Sequence, residues 1–181
     1  MMKTHAHVML ATNWQIGDDP RGWFISEKFD GIRALWTGRA FVSREGLTLN
    51  APEWFAAQMP RDVSLDGELW LDRQHDCNAV SAICGPQRNS GDAWRAVTFN
   101  AFDLPYWPGG FALRLSELAN VRPTDHLRIV DHVLCESRAH LQTYFSDITE
   151  NGGEGVILRH PAAPYRFGRS IFLRKLKPFA D

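Results

Sequence analysis

Few cysteines, no long apolar run and almost no net charge: each shortage in this sequence excludes something. Cys77, Cys84 and Cys135 are the only three cysteines. Their odd number and the lack of any C-x-x-C spacing argue against a disulfide framework or a zinc ribbon. A reducing, cytoplasmic setting is the simplest fit. No segment is long enough to span a bilayer, and the opening MMKTHAHVMLATNW has too short an apolar stretch for a signal peptide. No membrane partner is therefore expected. His5 and His7 have no evident third ligand and read as a surface pair. The formal net charge is −1 over 181 residues, so any contact with nucleic acid must come from a local patch. Repeats, low-complexity tracts and linker-like segments are also missing, and the length allows one large domain or two small ones.

What is present is a rich aromatic supply, seven tryptophans and eleven phenylalanines, most of which should be core. WFISEKF reads as a strand, and IRALW-TG-RAFVS as two strands joined at Thr37-Gly38. PEWFAAQM is a short helix with Pro52 in its first turn. VSLDGELWL is the next strand, and CNAVSAIC a helix that stops at Gly85-Pro86. AVTFNAFDL alternates as a half-buried strand. RLSELANV is a further helix and LRIVDHVLC a further strand. The clearest helix is SRAHLQTYFSDITENGG. Ser137 caps it, Leu141, Tyr144, Phe145 and Ile148 share one face, and Gly152-Gly153 end it. EGVILRH and SIFLRKLK are the last strands. Many strands with interspersed helices, often adjacent as hairpins, predict an α+β fold with largely antiparallel sheets.

The stretch SEKFDGIR, Ser26 to Arg33, sets a lone amine among charges and then turns. Read blandly, it is a solvated strand end. Lys28 becomes a nucleophile only if unprotonated, and a lysine in water is almost wholly protonated at neutral pH. For any lysine, nearby cations or burial would favour the unprotonated form. Lys175 and Lys177, two apart on a strand, share a face and can supply such cations. Two ammonium groups on one face suit a phosphate, although taken alone that segment reads more simply as a lysine-guarded edge strand. SREG holds Arg44 at a hairpin end. LDGELW places Asp66 and Glu68 on one strand face, AFDL sets Phe102 before Asp103, and EGVILR opens with Glu154 after a glycine stop. Acids at strand ends are usually solvated and a strand phenylalanine is usually core, so each is weak by itself.

The order of these motifs carries more weight than any one of them. K-x-D-G-x-R arises by chance in roughly one chain in several hundred. Here it is followed by S-R, D-G-E, F-D, E-G-V-I-L-R and K-L-K. The series resembles the nucleotidyltransferase signature of ATP-dependent DNA ligases, most of all the small bacterial and viral ones. RNA ligases and mRNA-capping guanylyltransferases share the superfamily and form the nearest alternative. A nucleotide- or DNA-binding module without catalysis is the alternative of another class, and the intact Lys28, Glu68, Glu154, Lys175 and Lys177 argue against it.

The resemblance implies a ligase-type nucleotidyltransferase fold and a role for each matching residue. Lys28 is the residue that becomes adenylylated. Ser26 helps read the adenine edge, Phe102 stacks on adenine and Glu68 holds the ribose hydroxyls. Arg33 contacts the nucleotide and the nick, and Arg44 contacts phosphate. Arg169, Lys175 and Lys177 form the cationic cluster around the phosphates, and Glu154 is the metal-linked acid. ATP and Mg2+, or Mn2+, are the implied cofactors. Nicked double-stranded DNA is the implied partner, met through a patch such as Arg44, Arg159, Arg166, Arg169 and Arg174. A monomer is expected. The motifs end at Lys177, and in such ligases an OB-type domain normally follows. None lies within these residues, so weak sealing without a fused or separate OB-type partner is expected.

Overall fold

The computed structural model describes residues 8–85 and 91–178. His5, His7 and Pro86 lie outside them. The described strands form two five-stranded sheets. The first contains β1 (Met9–Asn13), β2 (Phe24–Glu27), β8 (Val133–Leu134), β9 (Val156–Arg159) and β10 (Gly168–Leu176), in the order β1-β10-β9-β2-β8. The second contains β3 (Ile32–Trp36), β4 (Phe41–Ser43), β5 (Leu65–Trp70), β6 (Thr98–Asp103) and β7 (Leu127–Ile129), in the order β4-β3-β5-β6-β7. Among the described strands only the β1/β10 and β6/β7 pairs are parallel; the others are antiparallel. The helices α1 (Glu53–Ala56), α2 (Cys77–Cys84), α3 (Phe111–Leu118) and α4 (Arg138–Glu150) flank the sheets. This is the α+β, largely antiparallel fold expected, and no described helix is long and apolar enough to cross a membrane.

Local chemistry explains the helices. The Ser137 hydroxyl accepts from the His140 N–H at 3.0 Å and starts α4, whose Leu141, Tyr144, Phe145 and Ile148 pack on Ile25, Val156 and Leu158 of the first sheet. Asp76 caps α2 in the same way, accepting from the Asn78 and Ala79 N–H groups at 3.1 and 3.0 Å. A larger aromatic core of Trp36, Phe41, Phe55, Trp94 and Phe99 backs the second sheet. A third, smaller cluster joins Met9, Phe24 and Leu173 of the first sheet to Phe111 of α3.

Three expectations need correction. LRIVDHVLC is not one strand: β7 joins the second sheet and β8 the first, because Val130–His132 cross between them. AVTFNAFDL does not alternate, since every residue of β6 is buried; it is an inner strand, flanked by β5 and β7. The third concerns β1, which reads from sequence only as an apolar stretch too short for a signal peptide. Its parallel pairing to β10, more than 150 residues away, is what makes it a strand.

Candidate active site

The chain crosses from the first sheet to the second between β2 and β3, and Lys28 lies on that crossover. Its backbone N–H donates to the Gly155 carbonyl at 2.9 Å. The next residue, Phe29, packs edge-on against Trp70 with centroids 5.1 Å apart. Gly31 then passes so close to the backbone of β5 that a Cβ there would run into the Leu69 carbonyl. The turn after Lys28 therefore brings the amine over the gap between the sheets.

Two cavities meet at this point. The outer, about 770 Å³, is lined by Asp30, Gly31, Ser43, Cys77, Glu154 and Lys177 among others. The inner, about 280 Å³, is lined by Phe102, Ile157, Arg159, Arg169, Leu173 and Lys175 among others. Lys28, Phe29, Arg33, Arg44 and Glu68 line both. The structure thus gathers Lys28, Arg33, Arg44, Glu68, Phe102, Glu154, Arg169, Lys175 and Lys177, drawn from a span of about 150 residues, around one cleft.

The cleft's electrostatics centre on Glu154. One of its carboxylate oxygens binds the Lys28 ammonium and the other binds Lys177. Lys28 and Glu154 are mostly buried, with side chains 21% and 18% exposed. Lys175 sits nearby, and its pKa is lowered, first by burial and then by the charges of Lys177, Lys28 and Arg169. Glu68 has its pKa pushed up to about 7, chiefly by burial, with Arg33 and Lys28 opposing and Asp66 and Glu154 adding to the rise.

The surrounding contacts are less open than the motifs suggest. Arg33 is committed to Asp66 in a two-pronged pair of 2.6 and 2.7 Å, and donates to the Met9 carbonyl at 3.1 Å. Burial acts to lower its pKa, but the Asp66 carboxylate outweighs this and the net shift is upward. The Tyr165 hydroxyl donates to the same carboxylate at 2.5 Å. Phe102 is only 6% exposed, with the guanidinium carbons of Arg33 and Arg159 lying 4.5 and 4.7 Å from its ring centroid. Asp103, the second residue of the F-D pair, is clamped by Arg114 at 2.6 and 3.1 Å. Arg44 is exposed and pairs with Glu45.

Three residues are placed differently from expectation. Ser26 is on the cleft face of β2, opposite Ile157, but the residue is 1% exposed, its hydroxyl accepts from Arg159 at 2.9 Å, and it lines neither cavity. Arg159 is not part of an exposed patch: it is 5% exposed, because β9 is an inner strand and its inward face meets Phe102. Arg174 is also engaged, donating to the Ile171 and Asn13 carbonyls at 2.8 and 3.0 Å. Sequence reasoning gave no part in the cleft to Arg159, Asp66, His132 or Tyr165. Arg159 closes the EGVILR motif and Asp66 opens D-G-E, so both were within reach; Tyr165 and His132 stand in no motif.

Comparison with known proteins completes the assignment. No family model matches the chain. A curated DNA ligase of Haemophilus influenzae is 34% identical over 159 residues, covering 86% of this chain. The chain spans 58% of that relative's length. The structure of a Lig E DNA ligase, described as binding DNA with a minimal scaffold, is 33% identical and superposes with a TM-score of 0.83, over 94% of this chain and 68% of that one. The DNA ligase-adenylate of Chlorella virus, 20% identical, shares the fold with a TM-score of 0.75 over 96% of this chain and 69% of its own. The chain therefore belongs to the ATP-dependent DNA ligase family, and its fold is that of the family's nucleotidyltransferase domain.

Proposed function

We propose that residues 1–181 act as one adenylation domain and that Lys28 is the nucleophile that takes AMP from ATP. The observation that carries this is the Lys28–Glu154–Lys177 bridge at the junction of the two cavities. A polyphosphate entering the outer cavity meets Lys177 and Arg44, while the inner cavity offers Phe102 and Ile157 to a base and Glu68 to ribose hydroxyls. In the reaction the Lys28 nitrogen bonds to the α-phosphorus and the bond from that phosphorus to the bridging oxygen breaks. Pyrophosphate leaves. The amine must first lose a proton, and Glu154, already in contact, is the nearest acceptor. Negative charge develops on the phosphoryl oxygens, so fixed cations and positioning supply most of the catalysis. The AMP then passes to the 5′-phosphate of nicked DNA, and attack by the 3′-hydroxyl seals the strand and releases AMP.

Magnesium, or manganese, is expected to accompany the triphosphate. Among the described residues no three His, Cys, Asp or Glu side chains gather into a metal site. A single protein carboxylate plus phosphate oxygens is a normal magnesium arrangement, so the residues present fit a cation carried on the nucleotide. Glu154 is the side chain that would hold it, directly or through water. The ion, when bound, neutralises phosphate charge.

Intact-mass spectrometry after incubation with ATP and magnesium tests the reading. The parent chain should gain the mass of AMP, and Lys28→Ala should fold but gain nothing. An alanine variant that still acquires AMP would reject Lys28 as the acceptor.

A further inference from the structure

We infer that Arg159 is a positioning residue of the nucleotide pocket, a brace that reaches from the first sheet to the Phe102 ring of the second and fixes the slot in which the base lies. The inference rests on the reading above, in which the inner cavity takes the base. Arg159 projects from the inward face of β9, two residues after Ile157, which lines the same cavity. Phe102 stands on β6 of the other sheet. Base-binding walls on two separate sheets keep their spacing only if something ties them.

The chemistry of Arg159 suits a brace better than an anion site. Arg33 and Arg114 are each paired with a carboxylate, whereas Arg159 has none within ion-pair distance among the described residues. A buried cation without a counter-ion needs other compensation. It receives two kinds. Aromatic faces surround it, with its guanidinium carbon 4.7 Å from the Phe102 centroid and 5.5 Å from that of Phe111. Two acceptors also hold it, the Ser26 hydroxyl at 2.9 Å and His132 Nε2 at 3.3 Å.

His132 is set up for this task. Its Nδ1 lies 2.9 Å from the Val130 carbonyl, so Nδ1 carries the proton and Nε2 presents a lone pair to Arg159. Burial, then the adjacent Arg159 charge, brings the His132 pKa down to about 3, so the ring stays a neutral acceptor. The Val130–His132 crossing that splits the expected single strand is what delivers this imidazole. Arg33, anchored by Asp66, bears on the same Phe102 ring from its own sheet, so Arg159 is the tie that comes from across the cleft.

The test uses the full chain and reads lysyl-AMP formation against ATP concentration, with inorganic tripolyphosphate as a competing probe. Arg159→Lys keeps the charge but loses the planar fork. It should raise the KM for ATP about tenfold or more, change the saturated rate less than about threefold, and leave tripolyphosphate inhibition as in the parent. His132→Leu should move the KM in the same direction, and His132→Gln, whose carboxamide oxygen replaces the acceptor, should restore it. A folded Arg159→Lys variant with parental KM would overturn the brace. Equal weakening of ATP and tripolyphosphate would overturn it in favour of a phosphate ligand. If Arg159→Lys does not fold, identical KM values for His132→Leu and His132→Gln would overturn it. A parent chain that takes no ATP would overturn the nucleotide reading and the brace with it, whereas an active parent beside an indistinguishable Arg159→Lys would overturn the brace alone.

Discussion

Glu68 is a carboxylate that burial keeps from ionising at its ordinary pH. Its folded-state pKa of about 7 lies above the unfolded value, so between about 4.5 and 7 the folded chain binds the extra proton. Stability contributed by this group is therefore present at low pH and lost as pH rises through 7. Glu68→Gln removes the titration. Its melting temperature relative to the parent should be more favourable at pH 8 than at pH 4.5, while ATP binding weakens if the carboxylate holds ribose. Parallel thermal melts at the two pH values check this, and a pH-independent difference would reject the burial account. Phe102 calls for a gentler change than alanine, because at 6% exposure its truncation would also open a core cavity. Phe102→Leu should cost less stability than Phe102→Ala, and about 1–3 kcal/mol of ATP affinity. Unchanged affinity in a folded leucine variant would show that no stacking occurs. These residues were legible because order and spacing of short motifs survive without any knowledge of contacts. Their partners were not: the links Arg33–Asp66–Tyr165 and Ser26–Arg159–His132 join positions about 100 or more residues apart at their widest, which no local pattern encodes.

The elements that matter most are those whose backbones cross near Lys28. Gly155 adopts φ of +138°, its carbonyl accepts from the Lys28 N–H, and a Cβ on it would collide with the Leu176 carbonyl while meeting Lys177 Cα at 3.1 Å. One bare Cα thus sets the spacing between Glu154, the start of β9 and the end of β10. Gly155→Ala should cost about 1–3 kcal/mol of stability through overpacking and backbone strain. It should also slow adduct formation beyond that loss, because Lys177 is pushed from Glu154. Denaturant melts together with single-turnover adduct rates check both, and parental values in each would show that the crossing tolerates a side chain. Helices with caps and an apolar face, such as α4, could be read from sequence because their determinants are local. Strand β1 could not, since it gains its status from parallel pairing with a distant partner, and the LRIVDHVLC strand was legible but its division into β7 and β8 was not, because it comes from the turn of the chain into the other sheet.

At the scale of the whole molecule, charge decides how this chain would meet a duplex under the proposed function. Affinity for DNA falls with salt with a slope of about −0.9 per phosphate neutralised. A net charge of −1 gives no broad attractive field, so the slope counts local contacts. Of the five arginines expected in the patch, Arg159 is buried between the sheets and Arg174 is held by backbone carbonyls and lies 3.8 Å from Asp18. Arg44, Arg166 and Arg169 remain on the surface. If these three carry the contact, the logarithm of the association constant for a nicked duplex should fall with log salt at a slope of about −3. Binding should then be weak at physiological ionic strength. Arg169→Ala should reduce the slope by about one, while Arg159→Lys should leave it unchanged because that side chain never reaches a DNA phosphate. Fluorescence anisotropy with a labelled, singly nicked duplex across a salt series measures all three. A slope much steeper than −3 in the parent, or a change of slope in Arg159→Lys, would mean that the DNA-facing surface has been drawn in the wrong place, and that cations outside the cleft rim carry the contact.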